Sequence, residues 1–194
     1  MKRARKNREP KEHVSVQSTV SVTVSSSPNN RNGYIGKFMK EKMLYENKYH
    51  SCVFVGYDYD GNPRHAAIRG TMTSKAFKGE TRGSDKRFAF HRSGENKMLH
   101  VYESPIDMMS YLTLYPDAIK DHHVALCCLA DTSLQEYVKH YDIQRIFLHL
   151  DNDEWGRNQT EKLKDFYGKS YDIWDESPFD GYKDFNEQLA GRKG

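Results

Sequence analysis

The stretch M-L-H-V-Y-E-S-P-I-D (residues 98–107) packs a strand, a helix start and two carboxylates into consecutive positions. Its apolar run ends at Glu103. Ser104 suits a helix N-cap, Pro105 suits the first helical turn, and Asp107 follows the cap by three. Ile106, Met109, Leu112 and Thr113 predict one buried stripe on that helix. The same alternation continues downstream. V-A-L-C-C-L-A (124–130) predicts a second strand, and Ser133 with Glu136 predicts a capping box opening a second helix. R-I-F-L-H-L (145–150) predicts a third strand that runs into Asp151. A helix over 158–166, a strand at 170–174 and a short helix over 184–189 complete the series. Continuous apolar strands alternating with helices predict an α/β fold, a parallel sheet covered on both faces. The carboxyl ends of such strands share one edge, where open sheets bind ligands.

Three acidic fragments meet that expectation: Glu103 at the first strand end, Asp151 and Asp153 in L-H-L-D-N-D-E-W-G-R, and Asp184 in G-Y-K-D-F-N-E-Q-L. Positions i and i+2 at a strand end point the same way, so Asp151 and Asp153 can address one cation. Carboxylates converging from separate strands suit Mg²⁺ and phosphate chemistry, with one of them free to move protons. Gly156 lets the backbone turn close to the ions, and Arg157 can meet a phosphate. D-N-D-E-W-G is not a calcium loop, because the fifth position is Trp155 and the twelfth is Lys162 rather than a bidentate Glu. Alone, D-x-D is a weak signal that reads more readily as a solvated acidic turn. Lys183, beside Asp184, is the phosphate contact expected in the tail. His149 is expected as a packed strand histidine, and His122-His123 as a loop pair.

Composition sets the bounds. A chain of 194 residues suits one domain plus a small appendage. No run of ~18 apolar residues occurs, and no apolar stretch follows the basic start, so neither a membrane span nor a secretory signal is expected. Three cysteines without C-x-x-C spacing give no disulfide framework and no zinc site, which suits a reducing cytoplasm; Cys127 and Cys128 read as small core residues. No P-loop motif and no G-x-S-x-G motif is present. Net charge is only +3, but residues 31–97 carry 14 Lys/Arg against 7 Asp/Glu, and residues 142–187 carry 12 Asp/Glu against 6 Lys/Arg. A basic half beside an acidic half suits a polyanion held next to a metal cluster, and equally suits an ordinary solvated surface.

Residues 1–32 form a basic, Ser/Val-rich tail that reads either as a weakly ordered segment or as a strand lacking a partner. Residues 33–96 read as a basic α+β subdomain. It has a helix over 34–48, a hairpin over 52–70 turning at D-Y-D-G-N-P, and a basic Gly/Phe loop and strand over 75–92 that can follow a phosphate backbone. Residues 97–194 hold the strand–helix series.

Taken together, V-Y-E-S-P-I-D-M-M-S, H-L-D-N-D-E-W-G-R and G-Y-K-D-F-N-E-Q-L resemble the three motifs of the Toprim domain, shared by topoisomerases, bacterial-type primases and some nucleases. The resemblance spans about residues 97–189. It implies a compact parallel-sheet fold, Mg²⁺ (with Mn²⁺ as substitute) at Asp151, Asp153 and Glu103, and Glu103 as general acid/base. It also implies Asp107 and Asp184 as a second metal position or as support. The preceding region resembles, more loosely, the basic subdomain of bacterial primases, whose face guides template; by that resemblance Arg69, Lys75, Lys78, Arg82, Lys86 and Arg87 would take that role. Where the family usually has Gly after the first Glu, this chain has Ser104-Pro105, and after the second strand it has Ala130-Asp131. The resemblance points toward primase-like proteins of plasmids and other bacterial mobile elements. The implied activity is DNA-primase-like nucleotidyl transfer in DNA replication or transfer. Its partners would be single-stranded DNA or primer–template, nucleoside triphosphates, and a helicase or relaxase. A metal-dependent nuclease and a non-catalytic DNA-binding module are the competing readings.

Overall fold

The computed structural model describes residues 33–71, 77–127 and 130–191. The tail expected over residues 1–32, the phosphate contact expected at Lys75 and the core role expected of Cys128 lie outside them.

The basic region builds a four-stranded antiparallel sheet, β1 (Leu44–Glu46), β2 (Cys52–Tyr57), β3 (Pro63–Arg69) and β4 (Lys78–Glu80), paired in that order. The β2–β3 hairpin is the expected one. Asp58 closes its turn by accepting from the Asp60 and Asn62 amides at 3.1 and 2.8 Å, while Gly61 takes φ 83°. The helix expected over 34–48 stops early: α1 spans Gly33–Lys40. Lys42 turns left-handed at φ 59°, its N–H bonds the Met39 carbonyl, and the Met43 N–H reaches back to the Phe38 carbonyl at 2.8 Å. Those two bonds form a Schellman stop built on lysine instead of glycine, so no sequence signal announced it.

The larger sheet has five strands in the order β5 (His91–Arg92), β7 (His122–Ala125), β6 (Met98–Tyr102), β8 (Arg145–His149), β9 (Asp172–Asp175). β5 is antiparallel to β7 and all other pairs are parallel. Four helices accompany it: α2 (Pro105–Leu114), α3 (Thr132–His140), α4 (Glu154–Tyr167) and α5 (Phe185–Gly191). Leu134, Tyr137, Leu163 and Tyr167 of α3 and α4 pack on one face of the sheet with Val101, Ile146 and Leu148. Met108, Tyr111 and Leu112 of α2 and Phe185 of α5 join the second core cluster. That second cluster also takes Phe38, Met43, Leu44 and Phe54 from the basic region. Phe90 sits edge-on to both Phe38 and Phe54, with centroids 5.5 and 5.6 Å away. Tyr59, in the β2–β3 turn, stacks on His140 of α3 at 3.5 Å. The two sheets therefore share one core and cannot be placed independently of each other. No helix among the described residues is long and apolar enough to cross a membrane.

Several local expectations shift. On α2, Asp107, Met108, Tyr111 and Leu112 are buried, whereas Thr113 is exposed. The helix is buried on more than one side, because α5 and α1 cover what the sheet does not, and one stripe cannot describe it. α3 begins at Thr132, so Ser133 falls inside the first turn; its buried Oγ has no hydrogen-bond partner among the described residues, and the expected capping box does not form there. His122 and His123 lie within β7 and are buried. His122 Nδ1 meets the Tyr137 hydroxyl at 2.9 Å and His123 Nε2 meets the Ala118 carbonyl at 2.7 Å. His149 is packed as expected, bonded to His100 at 2.7 Å.

Candidate active site

β6 and β8 lie side by side and parallel, with Tyr102 opposite His149, so the segments that follow them leave the sheet at one edge. Glu103 follows β6 and Asp151 follows β8. Ser104 caps α2 as expected; its hydroxyl donates to the Asp107 carboxylate at 2.6 Å. α4 begins four residues before the expected start, at Glu154, because Asp153 is its N-cap. Asp153 Oδ1 accepts the Gly156 amide at 3.0 Å, which leaves Oδ2 for the site. Gly156 is required there: a Cβ would lie 2.1 Å from the Asp151 carbonyl oxygen. Asp184 and Glu187 tie down the start of α5. Asp184 Oδ1 accepts the Glu187 amide at 2.8 Å, and the Glu187 carboxylate accepts the Lys183 amide at 2.8 Å.

These pieces enclose two cavities, of about 830 and 400 Å³. Glu103, Ser104, Arg69, Lys78 and Lys183 line both. Asp153 lines the larger one; Asp107, Asp151 and Asp184 line the smaller. The sheet edge with its carboxylates therefore faces β3 and β4 of the basic sheet. Lys183 Nζ stands 3.5 Å from Asp151 and 3.2 Å from Asp153.

The electrostatics follow from that crowding. Burial and the nearby Asp151 and Asp153 charges push the Glu103 carboxyl above its ordinary range. Burial raises Asp151 too, against the pull of Lys183. Asp107, only 6% exposed, is pushed up to about 7 by burial, with Asp151, Asp184 and Glu103 adding to the effect. Asp153 goes the other way, held low by the Gly156 N–H it caps. Burial thus opposes ionisation at Glu103, Asp107 and Asp151, while the Gly156 N–H favours it at Asp153. Among the described residues no three His, Cys, Asp or Glu side chains stand close enough to enclose a metal ion by themselves. The donor set nevertheless fits Mg²⁺, which uses one or two carboxylates and keeps several waters. The Lys183 ammonium already bridges the pair of aspartates as a cation would.

Not every expected contact arrives. Arg69 and Lys78 reach the cavities; Arg82 is exposed and lines neither. Arg87 is turned to Asp85 at 2.7 Å, and Lys86 lies 3.6 Å from Glu80. Arg157 does not face the cavities. It donates to Asp175 at 2.9 Å and to the carbonyl of Leu150 at 3.2 Å, stitching α4 to the strand ends. Two residues at the site went unpredicted. Trp155 lines the larger cavity and is 70% exposed, which an aromatic directly behind a D-x-D turn could have signalled. Asn152 pins the Lys183 segment, its amide N–H donating to the Lys183 carbonyl at 2.7 Å, a role no local pattern reveals.

Residues 100–189 match the family described as Toprim-like. The chain carries a Toprim-like domain. Residues 33–96 match a family described as a protein of unknown function, DUF3991. No curated protein matches the chain. Among solved structures, the primase fragment of the bacteriophage T7 primase-helicase protein aligns over 80% of this chain and 65% of its own, with a TM-score of 0.60 and 19% identity. The Aquifex aeolicus primase, comprising zinc-binding and RNA polymerase domains, aligns over 82% of this chain and 43% of its own (TM-score 0.52, 16% identity). A DnaG primase catalytic domain bound to single-stranded DNA aligns over 86% and 56% (TM-score 0.51, 17% identity). This chain thus spans less than two thirds of each of those chains, and it shares the fold of their primase domains.

Proposed function

We propose that this protein carries out magnesium-dependent, primase-like nucleotidyl transfer on single-stranded DNA. The observation that supports this most is the shared cavity. Glu103 lines both cavities together with Arg69 and Lys78, which come from a different sheet, while Asp153 lines one of them and Asp151 the other. Arg69 and Lys78 would hold phosphates of template or nucleotide by charge. Mg²⁺ at Asp151 and Asp153 would neutralise charge on the transferring phosphoryl group. Glu103, raised toward neutrality by burial and its acidic neighbours, suits a proton acceptor for the attacking 3′ hydroxyl. Trp155 offers an exposed ring at the cavity mouth on which a base can stack. A helicase partner is a further element of the reading, since one neighbour in fold is a primase-helicase fragment.

The test uses single-stranded template, labelled nucleoside triphosphates and Mg²⁺. Incorporation is expected from the wild type. Glu103→Gln should lower it by about a hundredfold or more while leaving template binding in place. Strand cleavage without nucleotides would indicate a nuclease instead. Binding that survives both EDTA and Asp153→Asn, with no product, would leave a DNA-binding module.

A further inference from the structure

Lys183 combines a fixed backbone with a mobile-length side chain. Its carbonyl accepts from the Asn152 amide, its own amide donates to Glu187, and the Asn152 side chain holds the neighbouring Tyr182 carbonyl at 3.0 Å. The side chain, by contrast, is 51% exposed and ends between Asp151 and Asp153. It lines both cavities. A four-carbon stem carrying a point charge can exchange one oxygen partner for another without moving the backbone.

We infer that Lys183 is a resident counter-cation that a divalent ion must displace, and that the displaced ammonium then swings into the cavity to hold a phosphate. This rests on the metal site proposed above. The lysine satisfies the Asp151–Asp153 pair when no metal is bound, so it lowers metal affinity. Once released, its charge is delivered to the space that Arg69 and Lys78 also line, so metal binding should strengthen polyanion binding. Removing the ammonium should therefore act in opposite directions on the two ligands, which a lysine that merely stabilises the turn would not do.

Calorimetric titration of the full chain with Mg²⁺, at constant pH, tests this with wild type, Lys183→Met, Lys183→Arg and Asp151→Asn/Asp153→Asn. Lys183→Met should bind Mg²⁺ about fivefold more tightly than wild type, the scale of a partly exposed ion pair. Lys183→Arg, which keeps the charge, should not gain affinity. A 15-residue oligothymidylate probe should bind wild type more tightly with Mg²⁺ than with EDTA, and Lys183→Met should lose most of that gain. Equal Mg²⁺ affinity in wild type and Lys183→Met, with binding lost in the double Asn variant, overturns the displacement but leaves the metal site standing. Heats no different from those of the double Asn variant in every protein overturn both.

Discussion

The carboxyl edge of the large sheet and the basic face of the small one carry opposite charge in opposite ways. Asp107 and Asp151 are each only 6% exposed, held where burial and mutual repulsion resist ionisation. The basic residues are mostly at the surface, and Lys86 and Arg87 have acidic neighbours of their own, Glu80 at the end of β4 and Asp85. Among the described basic residues of that sheet, only Arg69 and Lys78 line the cavities with the carboxylates. A strand end in a parallel sheet dictates where its next side chain goes, whereas a charged loop leaves each side chain to find its nearest partner. Charge counts therefore locate the acidic site well and the basic one poorly.

Asp107 gives the largest expected effect on the acidic side. Its folded carboxyl holds a proton up to about 7, while the unfolded one loses it near the ordinary ~4. The folded state binds the extra proton between those values, so stability should fall as pH rises through that window. Asp107→Asn should remove the largest part of the fall, leaving the share of Glu103 and Asp151, and add roughly 3 kcal/mol at about pH 8, read by denaturant unfolding at acidic and alkaline pH. A wild type whose stability is flat over that range would break the picture of a strained acidic edge. Gly156→Ala comes next. The 2.1 Å approach of its Cβ to the Asp151 carbonyl should cost about 2–3 kcal/mol and move α4 away from the turn.

On the basic side, Arg69→Ala and Lys78→Ala should each weaken oligothymidylate binding. Each should also reduce the slope of log affinity against log salt by about 0.7. Arg87→Ala should leave the slope nearly unchanged, because Asp85 already occupies that guanidinium. Equal slopes for all three variants would mean that the whole basic face, not two of its residues, meets the polyanion. The smallest effect serves as a control. Gly36 lies within α1 with no atom of the described residues within 4 Å of a Cβ, so Gly36→Ala should stabilise the protein by about 0.5–1 kcal/mol.

Much of this was legible in the sequence wherever periodicity and capping agreed. The run into Glu103, the Ser104 cap, the strand into Asp151 and the hairpin at Asp58–Gly61 were all readable locally. What escaped depended on partners distant in the chain. Lys42 makes a left-handed helix stop without glycine, and Asp153 starts a helix while also facing the site. Arg157 looked free for a phosphate because nothing nearby in sequence announces Asp175, 18 residues on, as its partner. β5 lies before residue 97 yet pairs with β7, and Phe38 and Phe54 share a core with Tyr102. Composition could suggest a basic appendage, but not that it is welded to the other sheet.

Mn²⁺ used as a paramagnetic probe tests the central claim most directly, because it reports which backbone amides surround the ion. With substoichiometric Mn²⁺, amide signals of residues 78–80 in the basic sheet should broaden together with those of Glu103 and Asp153. Signals of Lys97 and Asp142, at the far end of the strands, should persist. Asp151→Asn/Asp153→Asn should abolish the broadening. Broadening confined to residues 151–153, or surviving the double substitution, would contradict a single site shared by the two sheets.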